Sequence, residues 1–560
     1  MSNQQKSGTV KLAVVTAICY VVYQFTQSVP LPPVVGWIFL ALFLLGVFKT
    51  GWSLFEDWGW RKFFESAATP TGLYGRTDHV GLNELVQAGL KTENPDGNGI
   101  PLGAIGDKML FYSGAAHLSF RAATGGGKTE SSFAPICLAL GPHRNILATG
   151  KGKEPACLVA KHRQNIGQEV RVIDLGNQMG GTEFQPSDFN PAGHLVEFAD
   201  QGNSVVINEA RKIASTLIAE PKGGAGGDNI FFRNQARKWL TWLLVGAAIL
   251  EATTGELCCN LPYLYTQVNS GDDQLRTFLT DLTTLNQYEK SVSGAAKRML
   301  SKWKNAAKTF EAVLSEVENA LEIYDPASHL GQHSVYSDFD PCDIKRKPMT
   351  ILLVTDPTQS DTHGIAAGLC LEVITNLALQ ANSFEPRLSI IADEFANLSK
   401  GALPSMLPAL YVGRSLGTQL LSYIQDTSSY KSRYGEEASA FTTQSEIVLS
   451  WKCSSTKDAD EYSKRSGQIS VMSESTNLPK GAEADSNKSY SVGMSEKGLP
   501  RYRPDDFLHM KDFQAALFFK QLPTVMIDLV SYRQVLPWRN QAGVVPGAPP
   551  QDDLPVRFHL

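Results

Sequence analysis

The sequence contains no Cys-x-x-Cys pair and no surplus of positive charge. Its eight cysteines are scattered through the chain, which argues against a disulfide framework or a zinc site and fits reduced thiols in a cytosolic body. Lysine and arginine number 51 against 56 aspartate and glutamate, for a net charge of -5. This excludes a uniformly basic surface for nucleic acid, because neutralising phosphates requires concentrated Lys and Arg. Any contact with nucleic acid has to be local.

Charge is also missing near the N-terminus, where no charged residue lies between Lys11 and Lys49. This stretch predicts two transmembrane helices, about 12–27 and 34–48, separated by the Pro-rich residues 29–33. A secretory signal peptide is the alternative, and it is disfavoured by the second apolar segment and by the lack of a small-x-small cleavage site before the prolines. Basic residues on both flanks predict that the N-terminus and the large C-terminal body lie in the cytoplasm.

From about residue 115 the chain alternates apolar runs with helical stretches, which is typical of a parallel sheet covered by helices on both faces. We therefore predict an α/β fold with a mainly parallel sheet. The predicted strands are His117 to Arg121, Asn145 to Thr149, Val170 to Asp174, Met349 to Val354, Leu388 to Ala392, Thr418 to Ser422, Ile447 to Ser450 and Ala515 to Phe519.

Between about 207 and 327 the strand pattern stops and long helical patterns replace it, which predicts an all-α insert. Within it, residues 239–250 are strongly apolar but too short to span a membrane, so we expect a buried core helix there. The Gly- and Pro-rich tail after Gln541 is expected to be a flexible end.

The most specific motif follows the first of these strands and reads Ala122-Ala123-Thr124-Gly125-Gly126-Gly127-Lys128-Thr129. Ala123 through Thr129 are predicted to bind nucleotide, because glycines let backbone N–H groups surround phosphates. Lys128 would bring positive charge to the β and γ phosphates, and the Thr129 hydroxyl would ligate magnesium. The usual pattern begins with glycine where this chain has Ala122. The motif predicts ATP and Mg²⁺ as cofactors.

A pair of acidic residues, Asp393 and Glu394, ends the apolar strand that begins at Leu388. At the carboxyl edge of a sheet, Asp393 would hold magnesium and Glu394 would orient or deprotonate the attacking water. The alternative is an acidic helix N-cap without a catalytic role. Together with the glycine-rich loop, the pair favours ATP hydrolysis.

Two further residues complete the predicted catalytic set. Gln425 ends an apolar strand and is suited to sensing the γ-phosphate or positioning water, although a strand-end glutamine without a role is the alternative. Arg414 lies about twenty residues beyond the acidic pair and is expected near the carboxyl edge of the sheet. In a ring it would reach a neighbouring subunit's γ-phosphate as an arginine finger. A salt-bridge arginine is the alternative.

These stretches resemble the type IV secretion coupling proteins, the TraG-type conjugal transfer ATPases. The most specific elements are Asp393 to Leu398, Gly413 to Gly417, the strand ending at Gln425, Tyr434-Gly435-Glu436, and Asp458 to Gly467, in that order. The resemblance implies a hexameric, RecA-like P-loop ATPase with an inserted all-α domain, anchored in the bacterial inner membrane and joined to inner-membrane components of the secretion system. It also implies that the substrate driven to the channel is a relaxase-bound DNA strand, a protein effector or both.

The predicted domains follow from the anchor, the motifs and this resemblance. They are a transmembrane anchor (1–50), a juxtamembrane region (51–114), the first part of the nucleotide-binding domain (115–206), the all-α domain (207–335), the second part of the nucleotide-binding domain (336–540) and a flexible tail (541–560).

One local basic stretch lies in the predicted all-α domain, where Lys297, Arg298, Lys302 and Lys304 accompany Trp303. Such residues can bind a DNA backbone and stack on a base. A solvated helix face with an inward tryptophan is the alternative. Three functions stay open: a translocase for conjugative DNA, the same motor acting on protein effectors, and a docking receptor that uses nucleotide for assembly without hydrolysis. The sequence favours the first.

Overall fold

The chain divides into two units, each held together by its own contacts. One comprises Met1–Asp78 with Gly467–Arg501, and the other comprises His79–Ser466 with Tyr502–Leu560. The computed structural model describes residues 15–18, 20–25, 28, 34–38, 40–49, 51–52, 72–75, 80–123, 125–219, 228–393, 398–399, 401–425, 427–477, 491–520, 522–548 and 554–560.

Fifteen strands lie in these ranges. They are β1 (Ile100–Ile105), β2 (Lys108–Tyr112), β3 (His117–Ala122), β4 (Arg144–Lys151), β5 (Glu169–Asp174), β6 (Met349–Thr355), β7 (Arg387–Ala392), β8 (Thr418–Ile424), β9 (Ser445–Trp451), β10 (Gln468–Asn477), β11 (Ser491–Pro500), β12 (Gln514–Phe519), β13 (Val525–Asp528), β14 (Val535–Leu536) and β15 (Phe558–His559). The larger unit contains an eleven-stranded sheet in the order β2-β1-β13-β12-β9-β3-β8-β7-β4-β6-β5.

Seven neighbouring strands of this sheet, from β9 to β5, are parallel, and the four at the other side are antiparallel. All eight predicted strands are present, and the mainly parallel α/β prediction is confirmed. Strands β1 and β2 were not predicted, and they lie in the region assigned to the juxtamembrane segment. Pro101 and Gly103 interrupt the strand pattern of β1, where the register with β2 shifts at a bulge.

The helices cover both faces of the sheet, and between β5 and β6 the described residues form no strands. They are α1 (Leu82–Gln87), α2 (Ala134–Ala139), α3 (Glu154–Asn165), α4 (His194–Asp200), α5 (Val205–Leu217), α6 (Asp228–Thr254), α7 (Leu261–Asn269), α8 (Asp272–Leu282), α9 (Ser291–Asn305), α10 (Ala307–Leu321), α11 (His329–Gln332), α12 (Ser360–Gln380), α13 (Met406–Val412), α14 (Thr427–Tyr434), α15 (Ala440–Thr443), α16 (Thr456–Arg465), α17 (Pro504–Leu508) and α18 (Trp538–Gln541).

The sheet separates two hydrophobic clusters, because successive side chains of a strand point to opposite faces. In β4, Leu147 joins the cluster that contains the helices between β5 and β6, whereas Ile146 and Ala148 join the cluster on the other face. Helix α6 carries the apolar run 239–250, and its buried leucines confirm a core helix there. The core of the larger unit therefore fixes the strand ends that carry the predicted motifs.

The smaller unit contains apolar helical residues at 15–18, 20–25, 34–38 and 40–49, within the two predicted transmembrane segments. Many of their side chains are exposed, among them Val15, Phe25, Trp37 and Phe48. These helices are shorter than a full span, and the two-pass anchor stays a prediction. In the described ranges, length and hydropathy fit a membrane span at Pro357–Gln380 alone, and that helix is 83% buried.

A long antiparallel strand pair, β10 with β11, also belongs to the smaller unit. The segment 72–75 is hydrogen-bonded to this strand pair, since the N–H groups of Gly72 and Leu73 donate to Glu496 Oε1 at 3.0 and 3.1 Å. The N–H of Tyr74 donates to Ser470 Oγ at 2.9 Å. The excursion 467–501 was not foreseen within the second part of the nucleotide-binding domain.

The expectation of a flexible tail is wrong for the parts of 541–560 that the structure describes. Strand β15 pairs with β14, and Phe558 is buried in the core of the larger unit. The N–H of Gly543 donates to Leu158 O at 2.9 Å, next to α3. The Gly- and Pro-rich composition predicts flexibility, whereas the described residues of the tail pair with β14 and pack against the core.

Candidate nucleotide site

The glycine-rich loop leaves the carboxyl end of β3, the central strand of the eleven-stranded sheet. Gly125 and Gly127 adopt φ of +69° and +70°, a conformation that glycine adopts without strain. The N–H of Gly126 donates to Ala123 O at 3.2 Å, which closes a turn. Thr129 begins a π-helical turn, Thr129–Phe133, that continues into α2. Such turns are frequent at functional sites.

Lys128 and Asp393 meet at this edge of the sheet, with Lys128 Nζ 3.7 Å from Asp393 Oδ1. Asp393 directly follows β7, and its backbone oxygen accepts from Thr149 Oγ1 at the end of β4. Lys128 Nζ is buried and has no hydrogen-bond partner among the residues that the structure describes. A buried ammonium without acceptors is costly unless a ligand supplies them, so the site fits a phosphate group.

Gln425 lies directly beyond the end of β8, the strand between β3 and β7. Because parallel strands end at one edge, the strand order places Gln425 between the loop after β3 and Asp393. Tyr423, near the end of the same strand, stacks on Phe120 and bonds Ser132 Oγ at 2.7 Å. This packing fixes the end of β8 against the beginning of the helix that follows the loop.

The structure corrects the expected position of Arg414. This residue lies in a 3-10 turn, Gly413–Leu416, immediately before β8, and hence at the amino edge of the sheet. Gly413 packs beside His117, the first residue of β3, at the end opposite the glycine-rich loop. The length of β3 separates the two edges by roughly 16 Å. Arg414 therefore cannot reach the phosphate-binding loop of its own chain.

Two predicted site residues, Thr124 and Glu394, lie outside the described residues, so their roles stay predictions. Asp393 and the loop residues Ala123, Gly125 to Gly127, Lys128 and Thr129 all lie at the carboxyl edge.

A group of contacts that the sequence did not reveal connects the C-terminal part of the chain to the helix after the loop. Glu130 Oε1 accepts from Ser531 Oγ at 2.6 Å and from Arg533 NH2 at 2.5 Å. The partners are about 400 positions apart in sequence, and no local pattern marks them. These contacts hold the first helical turn after Thr129 against the segment that follows β13.

Arg121 forms a second unpredicted group, on the strand that leads into the loop. Its side chain donates to Ser119 Oγ at 3.2 Å, to Thr427 Oγ1 at 3.1 Å and to Thr442 Oγ1. Thr427 Oγ1 in turn donates to Asp458 Oδ1 at 2.7 Å, on α16. The group joins the strand before the loop to the segment just beyond Gln425, so the two strand ends are held by one hydrogen-bond network.

A comparison of the sequence with known families matches residues 83–535 to the family described as type IV secretory system conjugative DNA transfer. The chain belongs to this family. The match contains the glycine-rich loop, Asp393, Gln425 and the whole of the helical insert, and it confirms the resemblance seen in the motifs.

Relatives within the conjugative DNA transfer family match at low identity. The conjugal transfer protein TraG of Agrobacterium fabrum is 25% identical over 72% of this chain and 58% of its own length. The coupling protein VirD4 of Bartonella quintana is 22% identical over 69% of this chain and 58% of its own length. The chain thus spans somewhat more than half the length of these curated relatives.

The fold is similar to solved structures of the plasmid coupling protein TrwB. Its complex with the ATP analogue ADPNP has a TM-score of 0.57 at 14% identity and covers 83% of this chain and 95% of that one. Its complex with ADP and Mg²⁺ has a TM-score of 0.53 at 14% identity and covers 74% and 85%. These matches show that the larger unit has the fold of a RecA-like P-loop protein.

The basic stretch of the helical insert lies on α9. Lys297, Arg298 and Lys304 are exposed. The ring of Trp303 already has partners, because Phe310 stacks on it at 4.7 Å and the Arg276 guanidinium lies 5.2 Å from its centroid. This favours an inward-packed tryptophan over one that stacks on a base. The exposed cations can still contact phosphates.

Proposed function

We propose that the chain hydrolyses ATP at the carboxyl edge of its sheet and uses the energy to drive conjugative single-stranded DNA, with its relaxase, to a type IV secretion channel. The observation that supports this most directly is the buried Lys128 amine, 3.7 Å from Asp393 and without a hydrogen-bond partner among the described residues. A cation and a magnesium-type ligand at the end of a glycine turn are the groups that phosphoryl transfer requires.

The role of each residue follows from its position. The loop from Ala123 to Gly127 would surround the phosphates with backbone N–H groups, and Lys128 would neutralise the β and γ oxygens. Thr129 and Asp393 would hold Mg²⁺, which when bound adds positive charge beside the transferred phosphoryl group. Glu394 would take a proton from water, and Gln425 would orient that water. The TrwB complexes with ADPNP and with ADP and Mg²⁺ support nucleotide and magnesium binding in this fold.

Arg414 can act on a nucleotide only from a neighbouring subunit, because it lies at the opposite edge of its own sheet. We propose a ring, with a hexamer as in the implied family assembly, in which Arg414 completes the site of the next subunit. Mixing Lys128→Ala subunits with Arg414→Ala subunits tests this. Each is inactive alone, and mixed rings should recover ATPase activity, since an intact loop can then face an intact arginine. No recovery at any mixing ratio would exclude the trans role.

The all-α insert offers surfaces for DNA. In addition to the exposed cations of α9, the insert has a cleft of about 270 Å³ between α5 and α6, and the described residues that line it include Arg211, Arg237, Lys238 and Trp242 but no acidic side chain. Cations with an aromatic side chain suit a single strand, whose phosphates are neutralised while bases stack. This favours DNA over an effector protein as cargo.

The exposed apolar side chains of the smaller unit support a location in the bacterial inner membrane. Two helical segments before residue 50 would span it, with the N-terminus and the large body in the cytoplasm. Inner-membrane components of the secretion system are the expected partners on this side. The segment 72–75, which is hydrogen-bonded to the β10–β11 strand pair, would then join the anchor to the remainder of its unit.

The ATPase rate of the full chain in detergent, with and without single-stranded DNA, tests the proposal. We expect several-fold stimulation by single-stranded DNA, and loss of both turnover and DNA transfer in the Lys128→Ala variant. Turnover that is indifferent to DNA would redirect the assignment to protein effectors. Full transfer by Lys128→Ala would instead identify a docking receptor that does not hydrolyse nucleotide.

A further inference from the structure

The end of β9 contacts the phosphate-binding loop from outside. Strand β9 runs parallel to β3, with Trp451 paired with Ala122 at the start of the loop. The Trp451 side chain is 2% exposed, and its indole Nε1–H donates to Gly126 O at 2.7 Å. The next residue, Lys452, donates from Nζ to Gly125 O at 3.0 Å.

These two bonds determine the orientation of two peptide groups in the loop. A trans peptide is planar, so its C=O and the N–H that follows point in opposite directions. The bond from Trp451 turns the carbonyl of Gly126 outward and hence the N–H of Gly127 toward the side where phosphate would bind. The bond from Lys452 fixes the preceding peptide in the turn that Gly126 N–H closes with Ala123 O.

Both donors suit this position chemically. An indole N–H and an ammonium group donate hydrogen bonds and accept none, so neither competes with phosphate for the N–H groups of the loop. The position also explains the glycine at 126. A Cβ on Gly126 would lie 3.0 Å from Ala123 O and 3.2 Å from Trp451 Nε1, so limited space, and not a positive φ, favours glycine there.

We propose that Trp451 and Lys452 are positioning residues that set the phosphate-binding loop in its ligand-ready conformation before nucleotide arrives. The inference rests on the nucleotide-binding role proposed above, and it assigns to β9 a part that no motif of this chain indicated. The bond from Trp451 orients the N–H of Gly127, which meets phosphates shared by ADP and ATP, and the bond from Lys452 holds the turn that precedes it, so the affinity for both nucleotides should depend on them. The turnover number at saturating ATP should not.

Trp451→Phe is the sharpest test, because phenylalanine keeps a ring against Phe120 and removes the N–H donor, while the loss of ring volume is matched by a control substitution. We expect the affinity for ADP, measured by calorimetry on the full chain, to fall about 5- to 10-fold, as for one lost hydrogen bond. Hydrogen exchange of the amides at 122–130 should be faster in the nucleotide-free variant. Lys452→Met, at an exposed site that leaves the core intact, should weaken ADP binding about 2- to 3-fold.

Trp239→Phe is the matched control, since Trp239 is 6% exposed and contacts Phe310 at 5.0 Å in the helical insert. The proposal is overturned if Trp451→Phe binds ADP within 2-fold of the parent, if loop exchange is unchanged, or if Trp239→Phe causes the same loss. A parent protein that binds no ADP would refute the proposed function instead. In that case, hydrogen exchange of the loop amides in Trp451→Phe would still decide whether the hydrogen bond from Trp451 holds the loop.

Discussion

The two edges of the parallel sheet both hold buried cations, but they treat them differently. At the amino edge, Lys345 donates to three backbone oxygens, those of Phe384, Pro386 and Leu416, at 2.7 to 3.3 Å. At the carboxyl edge, Lys128 has no hydrogen-bond partner among the described residues. A buried cation that donates to several backbone oxygens stabilises the fold. A buried cation without a hydrogen-bond acceptor in the protein marks a place where a ligand can supply one.

Most other polar groups of the amino edge also bond within the chain, although Arg144 Nη1 and Thr418 Oγ1 are buried without a hydrogen-bond partner among the described residues. Arg144 donates to Ser389 Oγ at 2.9 Å and to Gln419. His117 accepts from the N–H of Leu420 at Nδ1 and donates from Nε2 to Leu410 O, and burial lowers its pKa to about 4. The histidine is thus neutral at physiological pH. This edge contributes stability and offers no open site in the described residues.

Removing Lys128, the cation without a hydrogen-bond partner among the described residues, should give the largest effect. In Lys128→Ala, ATP turnover should fall about 1000-fold, because the charge that neutralises the transferred phosphoryl group is lost. The free energy of unfolding should change by less than about 1 kcal/mol, since no protein hydrogen bond is broken. Steady-state ATPase assays and denaturant unfolding of the same preparation check both. Retained turnover would remove the basis for the comparison of the two edges.

Removing Lys345, which donates to three backbone oxygens, should lower stability and leave nucleotide binding unchanged. Lys345 is 3% exposed, and burial lowers its pKa to about 8. Lys345→Met should lower the free energy of unfolding by about 2 kcal/mol, because three partly buried carbonyl groups lose their donor. Nucleotide affinity should remain within 2-fold of the parent. A variant that loses ADP binding without losing stability would contradict the assignment of this edge.

The sequence predicted the carboxyl edge well because its chemistry is local. Each motif is recognisable within a few residues, because an apolar strand ends in a glycine turn, an acidic pair or an amide. The strand order then brings Lys128 and Asp393 together. The error over Arg414 has a topological cause. After β7 ends at the carboxyl edge, α13 returns the chain to the amino edge, so the turn before β8 must lie there.

Contacts between distant segments could not be predicted from one sequence. The bond from Trp451 to the loop joins positions 325 residues apart, and the partners of Glu130 lie about 400 residues away. Strands β1 and β13 likewise pair across the whole larger unit. Such contacts depend on register and strand order, which periodicity does not encode.

A buried carboxyl group extends this comparison of buried ionisable groups, because its protonation can be followed by titration. Glu372 on α12 is 1% exposed and accepts from Ser405 N and Oγ at 2.8 and 2.5 Å, and burial raises its pKa from 4.5 to about 7. Between these values the folded state keeps the proton that the unfolded state releases, so stability falls as pH rises through this window. Glu372→Gln should remove this fall, on the order of 2 kcal/mol, in unfolding series from pH 4.5 to 7.5. An unchanged slope would show that the carboxyl group is already ionised.

The smallest effect should come from exposed charges of the helical insert, which lie at neither edge of the sheet, and it should appear in DNA binding. The triple variant Lys297→Ala, Arg298→Ala and Lys304→Ala removes three exposed cations of α9. If each contacts one phosphate, the slope of log affinity for single-stranded DNA against log salt should become shallower by about 2. At about 0.2 M salt this slope change corresponds to a roughly 25-fold fall in affinity, if counterion release no longer contributes at about 1 M salt.

The salt slope separates contact from general electrostatics. The matched control removes the same charge from exposed lysines of the sheet domain, Lys91, Lys108 and Lys161. A change in net charge alters long-range attraction equally in both variants. The salt slope reports counterions released on binding, so it should change only where the removed side chain contacts a phosphate. Equal slopes in the two variants would therefore remove α9 from the DNA path and leave the cleft between α5 and α6 as the surface to test.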